Sequence, residues 1–395
     1  MLNETSTRIK TPPGEVRELG QTMASVNNTP KVVTPAAISQ CLRPAQGTDE
    51  LGRLAHFKIT RLLGQGGMGM VFEAVDLQLN RSVALKVIHP DTQSDPNARE
   101  RFLHEAQACA ALRHDHIVPI YQVGEDHGVI FLAMPLLAGL ALDRWLQTQK
   151  QLHLMQVLRI GREVADVLAA AHAVGIVHRD IKLANIWLEA PRGRAVLLDF
   201  GLAGRIGSTN NISNKPECVG TPGYLAPEQA RGMACDQRGD LFSLGVVLYR
   251  LCTGKMPFPT HETATDYFTA MLKLPPTPPI ELNKELPPNL NELIVAMLAI
   301  QPEARPESAK VVRAALQQIL DDVVQQGIEH DISPQSLLKQ AIIPVEEQNT
   351  SITPQASDTS MTSFFPVPPA QANVDAADCP GFALGIDNGD GAVDL

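Results

Sequence analysis

The sequence predicts an α+β fold of two lobes, a small antiparallel sheet with one helix followed by a mostly helical lobe. Three β-rich runs, FKITRLL, MVFEAVDL and RSVALKVI, lie between residues 57 and 88 and are separated by turn-forming residues. A helical stretch, NARERFLHEAQACAALR, follows, and VPIYQVGED and GVIFLAMPL add two strands. Beyond residue 140, helical patterns such as HLMQVLRIGREVADVLAAAHA dominate. A cleft between two such lobes is a natural place for a ligand.

The two ends of the chain have compositions typical of disorder. Residues 1–52 are rich in Thr, Pro, Asn, Gln and Ser without a sustained hydrophobic period, which predicts a flexible arm because little apolar surface could offset the entropy of ordering. After Lys339 the chain contains no Lys or Arg but eight Asp and Glu. We therefore expect a disordered acidic tail over residues 324–395.

Composition and charge exclude several functional classes. The chain has 33 Lys and Arg against 43 Asp and Glu, a formal charge of -10, and only 4% aromatic residues, which disfavours nucleic acids and anionic membranes as partners. Six scattered cysteines without a C-x-x-C pair suggest reduced thiols. Since no apolar run of about 18 residues and no signal peptide is present, we expect a cytoplasmic protein with no membrane span.

A glycine-rich loop and two charged residues form the first half of a candidate site. GQGGMGMV begins at Gly64, and backbone amides in such a loop can approach phosphates closely. The same spacing opens dinucleotide-binding folds, but there a helix should follow, whereas here the strand MVFEAV follows. Lys86 lies in an apolar strand and Glu105 on the apolar side of the next helix. Buried opposite charges of this kind need each other.

The second half of the site comes from two loops. HRDIKLAN ends at Asn185, and LLDFG places Asp199 fourteen residues later. Asp180, Asn185 and Asp199 supply two carboxylates and an amide, the oxygen ligands that Mg²⁺ prefers and a proton acceptor for a hydroxyl. GTPGYLAPE closes the set at Glu228.

These motifs, in this order, resemble the eukaryotic-type (Hanks-type) serine/threonine protein kinases over residues 57–323. The resemblance implies the bilobal protein kinase fold, with an N-lobe over 57–133, a hinge over 134–139 and a C-lobe over 140–323. Lys182 within HRDIKLAN is typical of the serine/threonine branch, and the phrases AHAVGIVHRDIK and GTPGYLAPEQA resemble bacterial members especially.

The resemblance also implies the catalytic roles and the cofactors, ATP and Mg²⁺, with Mn²⁺ as an alternative metal. Asp180 would orient the acceptor hydroxyl and take its proton, and Lys182 would neutralise charge on the γ-phosphate. Asn185 and Asp199 would ligate the metal ions. Lys86 would hold the α- and β-phosphates. The implied ATP-binding residues are Leu63, Gly64, Gln65, Gly66, Gly67, Met68, Gly69, Val71, Ala84, Lys86, Glu105, Met134, Pro135, Leu137, Trp187 and Asp199.

The hinge departs from the family pattern. Pro135 occupies the position whose carbonyl accepts from the adenine amine, and proline keeps that carbonyl although it lacks an N–H. Leu137 still has an amide to donate. Trp187 stands where the family has Leu or Met beneath the adenine, so its ring would either narrow the pocket or stack on the base. Val71 and Ala84 should form the opposite wall.

Five residues are expected to support the site without reacting, namely His178, Arg179, Glu228, Asp240 and Arg305. His178 is interpreted as a structural histidine, because the neighbouring Asp180 already supplies the proton acceptor. The resemblance implies that Arg305 pairs with Glu228 in a buried bridge and that Asp240 ties down the catalytic loop.

Regulation by phosphorylation is a further hypothesis. Ser208, Thr209 and Ser213 lie in the activation segment, where a phosphate could pair with Arg179 and order the segment. Thr221 is expected to contact the catalytic loop.

Two alternatives remain open at this stage, a pseudokinase that signals by binding and a small-molecule kinase of the same fold. The expected partners of a protein kinase are ATP and protein substrates with Ser or Thr, and formation of a homodimer is left open.

Overall fold

The computed structural model describes residues 35–66, 69–88, 96–148, 152–200, 204–205, 223–258, 264–329 and 342–343. The strands are β1 (Gly52–Leu54), β2 (Phe57–Gly66), β3 (Gly69–Asp76), β4 (Arg81–Ile88), β5 (Gln122–Asp126), β6 (Val129–Pro135), β7 (Gly139–Ala141), β8 (Ile176–Val177), β9 (Ile186–Glu189), β10 (Arg194–Leu197) and β11 (Gly204–Arg205). The helices are α1 (Pro35–Cys41), α2 (Pro96–Ala111), α3 (Leu142–Thr148), α4 (Leu154–Ala173), α5 (Pro227–Ala230), α6 (Gln237–Thr253), α7 (Ala264–Lys273), α8 (Pro279–Leu282), α9 (Pro288–Met297) and α10 (Ala309–Glu329).

The N-terminal lobe is a six-stranded antiparallel sheet in the order β1-β2-β3-β4-β6-β5. Side chains alternate across its strands, so that Phe72, Leu85 and Phe131 pack into one apolar cluster on the outer face. On the other face, Leu132 joins Phe102 of α2 in a second cluster. The sheet is therefore apolar on both faces and must be covered on both.

The N-terminal segment covers the outer face, and here the structure differs from the flexible arm expected over residues 1–52. Helix α1 and strand β1 are formed within 35–54, and Cys41 and Leu42 are buried in the outer cluster. Arg43 and Arg53 pair through their backbones, with N···O distances of 2.8 and 3.0 Å. The segment is ordered because it buries apolar side chains against a sheet that already exists, a contact that local composition cannot reveal. Residues 1–34 lie outside the described part of the chain.

Helices α4 and α6 form the centre of the C-terminal lobe. Helix α4 begins with a capping box in which His153 caps the backbone and Gln156 accepts from the His153 N–H at 2.9 Å. Gly161 lets the two helices approach closely, because an added Cβ would come 2.7 Å from Leu248 on α6. None of the helices in the described ranges combines the length and apolar composition that a membrane crossing requires.

The C-terminal boundary also differs from the expectation of a disordered tail over 324–395. Helix α10 continues to Glu329 and packs along α4. Residues 342–343 return to the C-lobe, where the Ile343 side chain is 0% exposed. Ile343 lies in the short apolar run AIIPV, and such a run does not indicate by itself which surface will bury it. Residues 330–341 and 344–395 lie outside the described part of the chain.

Candidate active site

A buried ion triad lies between the lobes. The Lys86 Nζ on β4 donates to both oxygens of Glu105 on α2, at 2.6 and 2.8 Å, and to Asp199 Oδ1 at 2.9 Å. Lys86 and Glu105 are 8% and 5% exposed, whereas the Asp199 side chain is 42% exposed. The lysine therefore joins a helix of one lobe to a loop of the other and leaves the Asp199 carboxylate facing the cleft.

The charge of Lys86 is secured by its partners. Burial alone would lower the pKa of Lys86, but the carboxylates of Glu105 and Asp199 outweigh that effect and raise the pKa above its ordinary value. The ammonium group consequently stays protonated at neutral pH. A fixed positive charge held inside a cleft is suited to holding phosphate oxygens.

Asp180, Lys182 and Asn185 form a second cluster in the loop after β8. The Asn185 Nδ2 donates to the Asp180 carbonyl at 2.8 Å and to its Oδ2 at 3.0 Å. The Lys182 Nζ lies 2.8 Å from the same Oδ2. These contacts fix the orientation of the Asp180 carboxylate, whose side chain remains 12% exposed.

The loop that carries Asp180 is anchored on α6 through Asp240, which is 0% exposed. Its carboxylate accepts from the backbone N–H groups of His178 and Arg179, both at 2.8 Å, and lies 2.8 Å from His172 Nε2. Burial raises the pKa of Asp240, but His172 and these donors outweigh it, and the pKa lies below its ordinary value. Arg179 also has a positive φ of 68°, an uncommon conformation that this anchor supports.

His178 is buried in a structural position. Its Nδ1 accepts from the Asp180 N–H at 3.3 Å, and its Nε2 lies 3.3 Å from the Leu198 carbonyl oxygen. We assign the proton to Nε2 from these partners. Burial lowers the pKa of His178 against the opposing effect of three nearby carboxylates, so the imidazole is neutral. The ring packs 4.6 Å from that of Phe200.

Asn185 and Asp199 lie close together because the two loops are joined by backbone. The Leu198 N–H donates to the Asn185 carbonyl at 2.8 Å, which brings the next residue, Asp199, beside the catalytic loop. Asp199 has a φ of 60°, a conformation that non-glycine residues adopt rarely and often at functional sites. An amide and an open carboxylate on two loops joined in this way supply hard oxygen donors of the kind that a divalent cation prefers.

The glycine-rich segment links β2 and β3, which pair up to Gly66 and Gly69. Gly69 approaches β4 so closely that an added Cβ would lie 2.1 Å from the Val87 carbonyl oxygen. Gly64 pairs with Val71 and Gln65 with Met70, while Gly67 and Met68 lie outside the described residues. The glycine-rich segment is therefore part of a β-hairpin formed by β2 and β3.

The wall of the cleft follows from strand register. Val71 pairs with Lys86, and Ala84 pairs with Met134, so these side chains share the face that carries the lysine. Leu63 is buried at the irregularity between β2 and β3. The hinge positions Pro135 and Leu137 are half-buried, and strand β6 includes Met134 and Pro135, two residues that the sequence assigned to the hinge.

The protein kinase domain family matches residues 57–317. This chain belongs to the protein kinase family. Among its relatives are the serine/threonine-protein kinase pkn3 of Myxococcus xanthus, 36% identical over 272 residues, and PknB of Mycobacterium tuberculosis, 36% identical over 265 residues. The matched regions cover 67% and 66% of this chain but 50% and 42% of those proteins, so the chain spans half or less of their length.

Solved structures agree with this assignment. The kinase domain of Mycobacterium tuberculosis PknI has a TM-score of 0.55 and 26% identity, over 70% of this chain and all of that one. The family and its bacterial members support the bilobal fold and a serine/threonine kinase domain. Members of this family use ATP and a divalent metal and act on proteins.

Trp187 in this kinase lies beside the hinge. Ile186 and Leu188 are buried in the C-lobe core, so Trp187, between them on β9, points to the other face. Its indole Nε1 donates to the Ala138 carbonyl at 3.2 Å. Gly139 makes room for this arrangement, because an added Cβ would come 3.0 Å from the indole nitrogen. The ring is thus bonded to the hinge, a detail that the sequence left open.

The kinase C-lobe holds Glu228 by a buried bidentate pair. Arg305 Nη1 and Nη2 donate to its two carboxylate oxygens at 2.7 and 2.8 Å. The neighbouring Gln229 donates to the Arg179 carbonyl at 3.2 Å, which ties the end of the activation segment to the catalytic loop. Ser208, Thr209, Ser213 and Thr221 lie outside the described residues.

Sequence reasoning missed two supporting residues, His172 and Glu163. The His172 Nε2 lies within hydrogen-bond distance of the Asp240 carboxylate, as described above. The Glu163 carboxylate accepts a hydrogen bond, at 2.8 Å, from the N–H of Ala195 on the strand that leads to Asp199. Both are buried polar residues on α4. The available signal was a polar side chain on the apolar face of an otherwise apolar helix.

Proposed function

We propose that this chain transfers the γ-phosphoryl group of Mg-ATP to Ser and Thr hydroxyls of proteins. The observation that carries the proposal is the convergence of Lys86, Asp199, Asn185 and Asp180 on one cleft, with Lys86 bonded to Asp199 at 2.9 Å. Lys182 beside Asp180 supports the serine/threonine class. Because the relatives are longer proteins, the substrates of the whole protein are part of this proposal.

The chemistry assigned to the residues is proton transfer and charge stabilisation. In the transfer, the bond from the γ-phosphorus to the ADP oxygen breaks and a bond to the acceptor oxygen forms, while the hydroxyl proton goes to Asp180. Asn185 holds that carboxylate in orientation, since its amide donates to Asp180 Oδ2 at 3.0 Å. Lys86 and Lys182 offset the negative charge of the phosphates.

Asn185 and Asp199 are the residues proposed to hold Mg²⁺, with Mn²⁺ as an alternative. When bound, the metal supplies charge neutralisation at the phosphate oxygens. Asp199 fits this role because its carboxylate is open to the cleft and already lies against Lys86.

The remaining parts of the proposal concern regulation and location. We infer autophosphorylation at Ser208, Thr209 or Ser213, a cytoplasmic kinase domain and a role in signal transduction. A homodimer is a further candidate, which light scattering of the purified chain would detect.

Transfer of radiolabelled phosphate from ATP to a basic protein tests the activity. We expect Lys86→Met and Asp180→Asn to reduce the rate by at least about 10²-fold, a typical contribution of one positioned catalytic group. Lys310→Met, at an exposed helix position, is the matched control and should keep the rate of the unmodified chain. Circular dichroism checks that each variant is folded.

The outcomes separate the alternatives. Nucleotide binding without transfer would instead indicate a pseudokinase, and transfer to small molecules alone would indicate a small-molecule kinase. Phosphoamino-acid analysis distinguishes Ser and Thr from Tyr. Phosphate between residues 202 and 225, found by mass spectrometry in the unmodified chain and not in Asp180→Asn, would support autophosphorylation.

A further inference from the structure

A short C-terminal segment, outside the matched kinase region, is built into the C-lobe core. Ile343 is 0% exposed and belongs to the main core cluster, whereas its neighbour Ile342 is 40% exposed. Twelve residues, 330–341, separate this segment from the end of α10. The contact therefore belongs to a segment that returns to the domain after its last helix.

The segment is held through both its backbone and its side chain. The Ile343 N–H donates to the Arg192 carbonyl at 3.2 Å, and Gln156 Nε2 donates to the Ile342 carbonyl at 2.8 Å. The Gln156 amide is oriented for this bond, because its Oε1 already accepts from the His153 N–H in the capping box of α4. Backbone bonds select an extended peptide, and the buried pocket selects the apolar side chain at position 343.

Gly193 makes the close approach possible. It lies in the turn between β9 and β10 with a φ of 64°, and an added Cβ would come 2.5 Å from the Ile343 Cβ and 2.7 Å from its carbonyl oxygen. Glycine thus serves the turn and the docked segment together. In the sequence Pro344 follows Ile343, and a residue before proline is biased toward the extended conformation.

The receiving surface is held by side-chain hydrogen bonds from α4. Arg159 Nη2 donates to the Gly193 carbonyl at 2.8 Å, and its Nη1 lies 3.1 Å from Glu163. Glu163 in turn accepts from the Ala195 N–H. These contacts join the β9–β10 turn to α4 through side chains that do not belong to the tail.

We propose that the β9–β10 turn and the start of α4 form a docking groove for an extended apolar segment, occupied in the same chain by residues 342–343. The groove lies at one end of the hairpin whose other end leads to Asn185 and Asp199. Docking of the tail therefore holds the hairpin whose two strands lead to the proposed metal ligands. A short tether favours the intramolecular partner, since it gives an effective concentration on the order of millimolar.

Paired substitutions in the full chain test the docking. Ile343→Ser removes the buried side chain, and Ile342→Ser is the matched control because that side chain faces solvent. We expect Ile343→Ser to speed amide hydrogen exchange at residues 186–197 by about fivefold or more and to lower the Tm by a few degrees, about 2–6 °C. Ile342→Ser should leave both unchanged. Equal behaviour of the two variants would overturn the proposal.

A second comparison isolates the contact itself. Gly193→Ala strains the turn in any background, but the new Cβ meets the Cβ and carbonyl oxygen of residue 343 only while the tail is docked, and Ile343→Ser is expected to release the tail. The Tm loss from Gly193→Ala should therefore be larger in the unmodified chain than in Ile343→Ser, and equal losses would contradict the contact. Should Ile343→Ser fail to fold, Ile343→Val offers a graded change with a smaller Tm loss, about 1–3 °C.

Light scattering over a range of protein concentrations shows whether the groove is occupied by the tail of the same chain or by that of a second copy. A monomer for both the unmodified chain and Ile343→Ser supports docking within one chain. A dimer that dissociates in Ile343→Ser would show that a second copy supplies the segment, and would overturn the intramolecular assignment. None of these measurements requires catalysis, so their failure is separate from failure of the proposed kinase activity.

Discussion

Replacing Arg305 with leucine should strongly destabilise the C-lobe. The Arg305 side chain is 0% exposed and that of Glu228 is 8% exposed, so the substitution leaves a buried carboxylate without its bidentate partner. Arg305 also donates to the carbonyls of Ala299 at 2.8 Å, Arg238 at 3.0 Å and Ile300 at 3.1 Å. Removing one partner of a buried ion pair costs about 3–5 kcal/mol, a large part of the total stability of about 5–15 kcal/mol of a typical protein.

Urea unfolding followed by circular dichroism measures this loss. The control is Arg313→Leu, because Arg313 and Asp166 form an ion pair whose side chains are 49% and 41% exposed. Solvent screening reduces the value of such a surface pair to below about 1 kcal/mol. Adding Glu228→Leu to Arg305→Leu should recover part of the loss, since no buried charge then remains. If Arg305→Leu destabilised the protein no more than Arg313→Leu, the argument from burial would be wrong.

Two further predictions concern the cleft. The chain has two tryptophans, so Trp145→Phe leaves Trp187 as the only one, and its emission should change when Mg-ADP is added because the ring lies at the hinge; an unchanged spectrum at saturation would contradict this. The pKa of His178 is lower in the folded chain than in the unfolded chain, where it is about 6.5. As the pH falls below that value, the proton binds the unfolded chain more readily than the folded one. The stabilising contribution of the neutral His178 is therefore present above about pH 6.5 and is lost below it. Between pH 7.5 and pH 5.5, the free energy of unfolding measured with urea should therefore fall more for the unmodified chain than for His178→Gln, by up to about 1.4 kcal/mol. Equal losses in the two proteins would refute the assignment.

The proximity of Lys86, Glu105 and Asp199 could be anticipated, because the residue types and the order of their motifs are visible in the sequence. Lys86 and Glu105 are charged residues in apolar surroundings, and such groups are tolerated in a core only when they meet. Asp199, whose side chain is 42% exposed, contacts Lys86 from the cleft. Motif order placed them in the same cleft before any distance was known. The orientation of Trp187 was not predictable in this way, since an indole at that position can either face a base or bond to the hinge.

The flanking segments could not be predicted for a different physical reason. Cys41 and Ile343 become buried on surfaces that the rest of the chain has already formed, and each lies in an apolar run too short to fold by itself. Composition measures whether a segment could fold by itself. It does not measure whether one or two side chains fit a preformed groove.

The buried carboxylates of the C-lobe share a structural role, although burying a charge is energetically unfavourable. Asp240 holds the backbone of the catalytic loop, and Glu163 holds Ala195 on the strand that leads to Asp199. Glu228, held by Arg305, fixes the segment that follows the activation segment. A buried carboxylate is unfavourable unless every donor around it is in place, so each one accepts only one arrangement of its partners. Neutral substitutions at Asp240 or Glu163 should therefore displace the loops that carry Asp180 and Asp199, which faster amide hydrogen exchange in those loops would reveal.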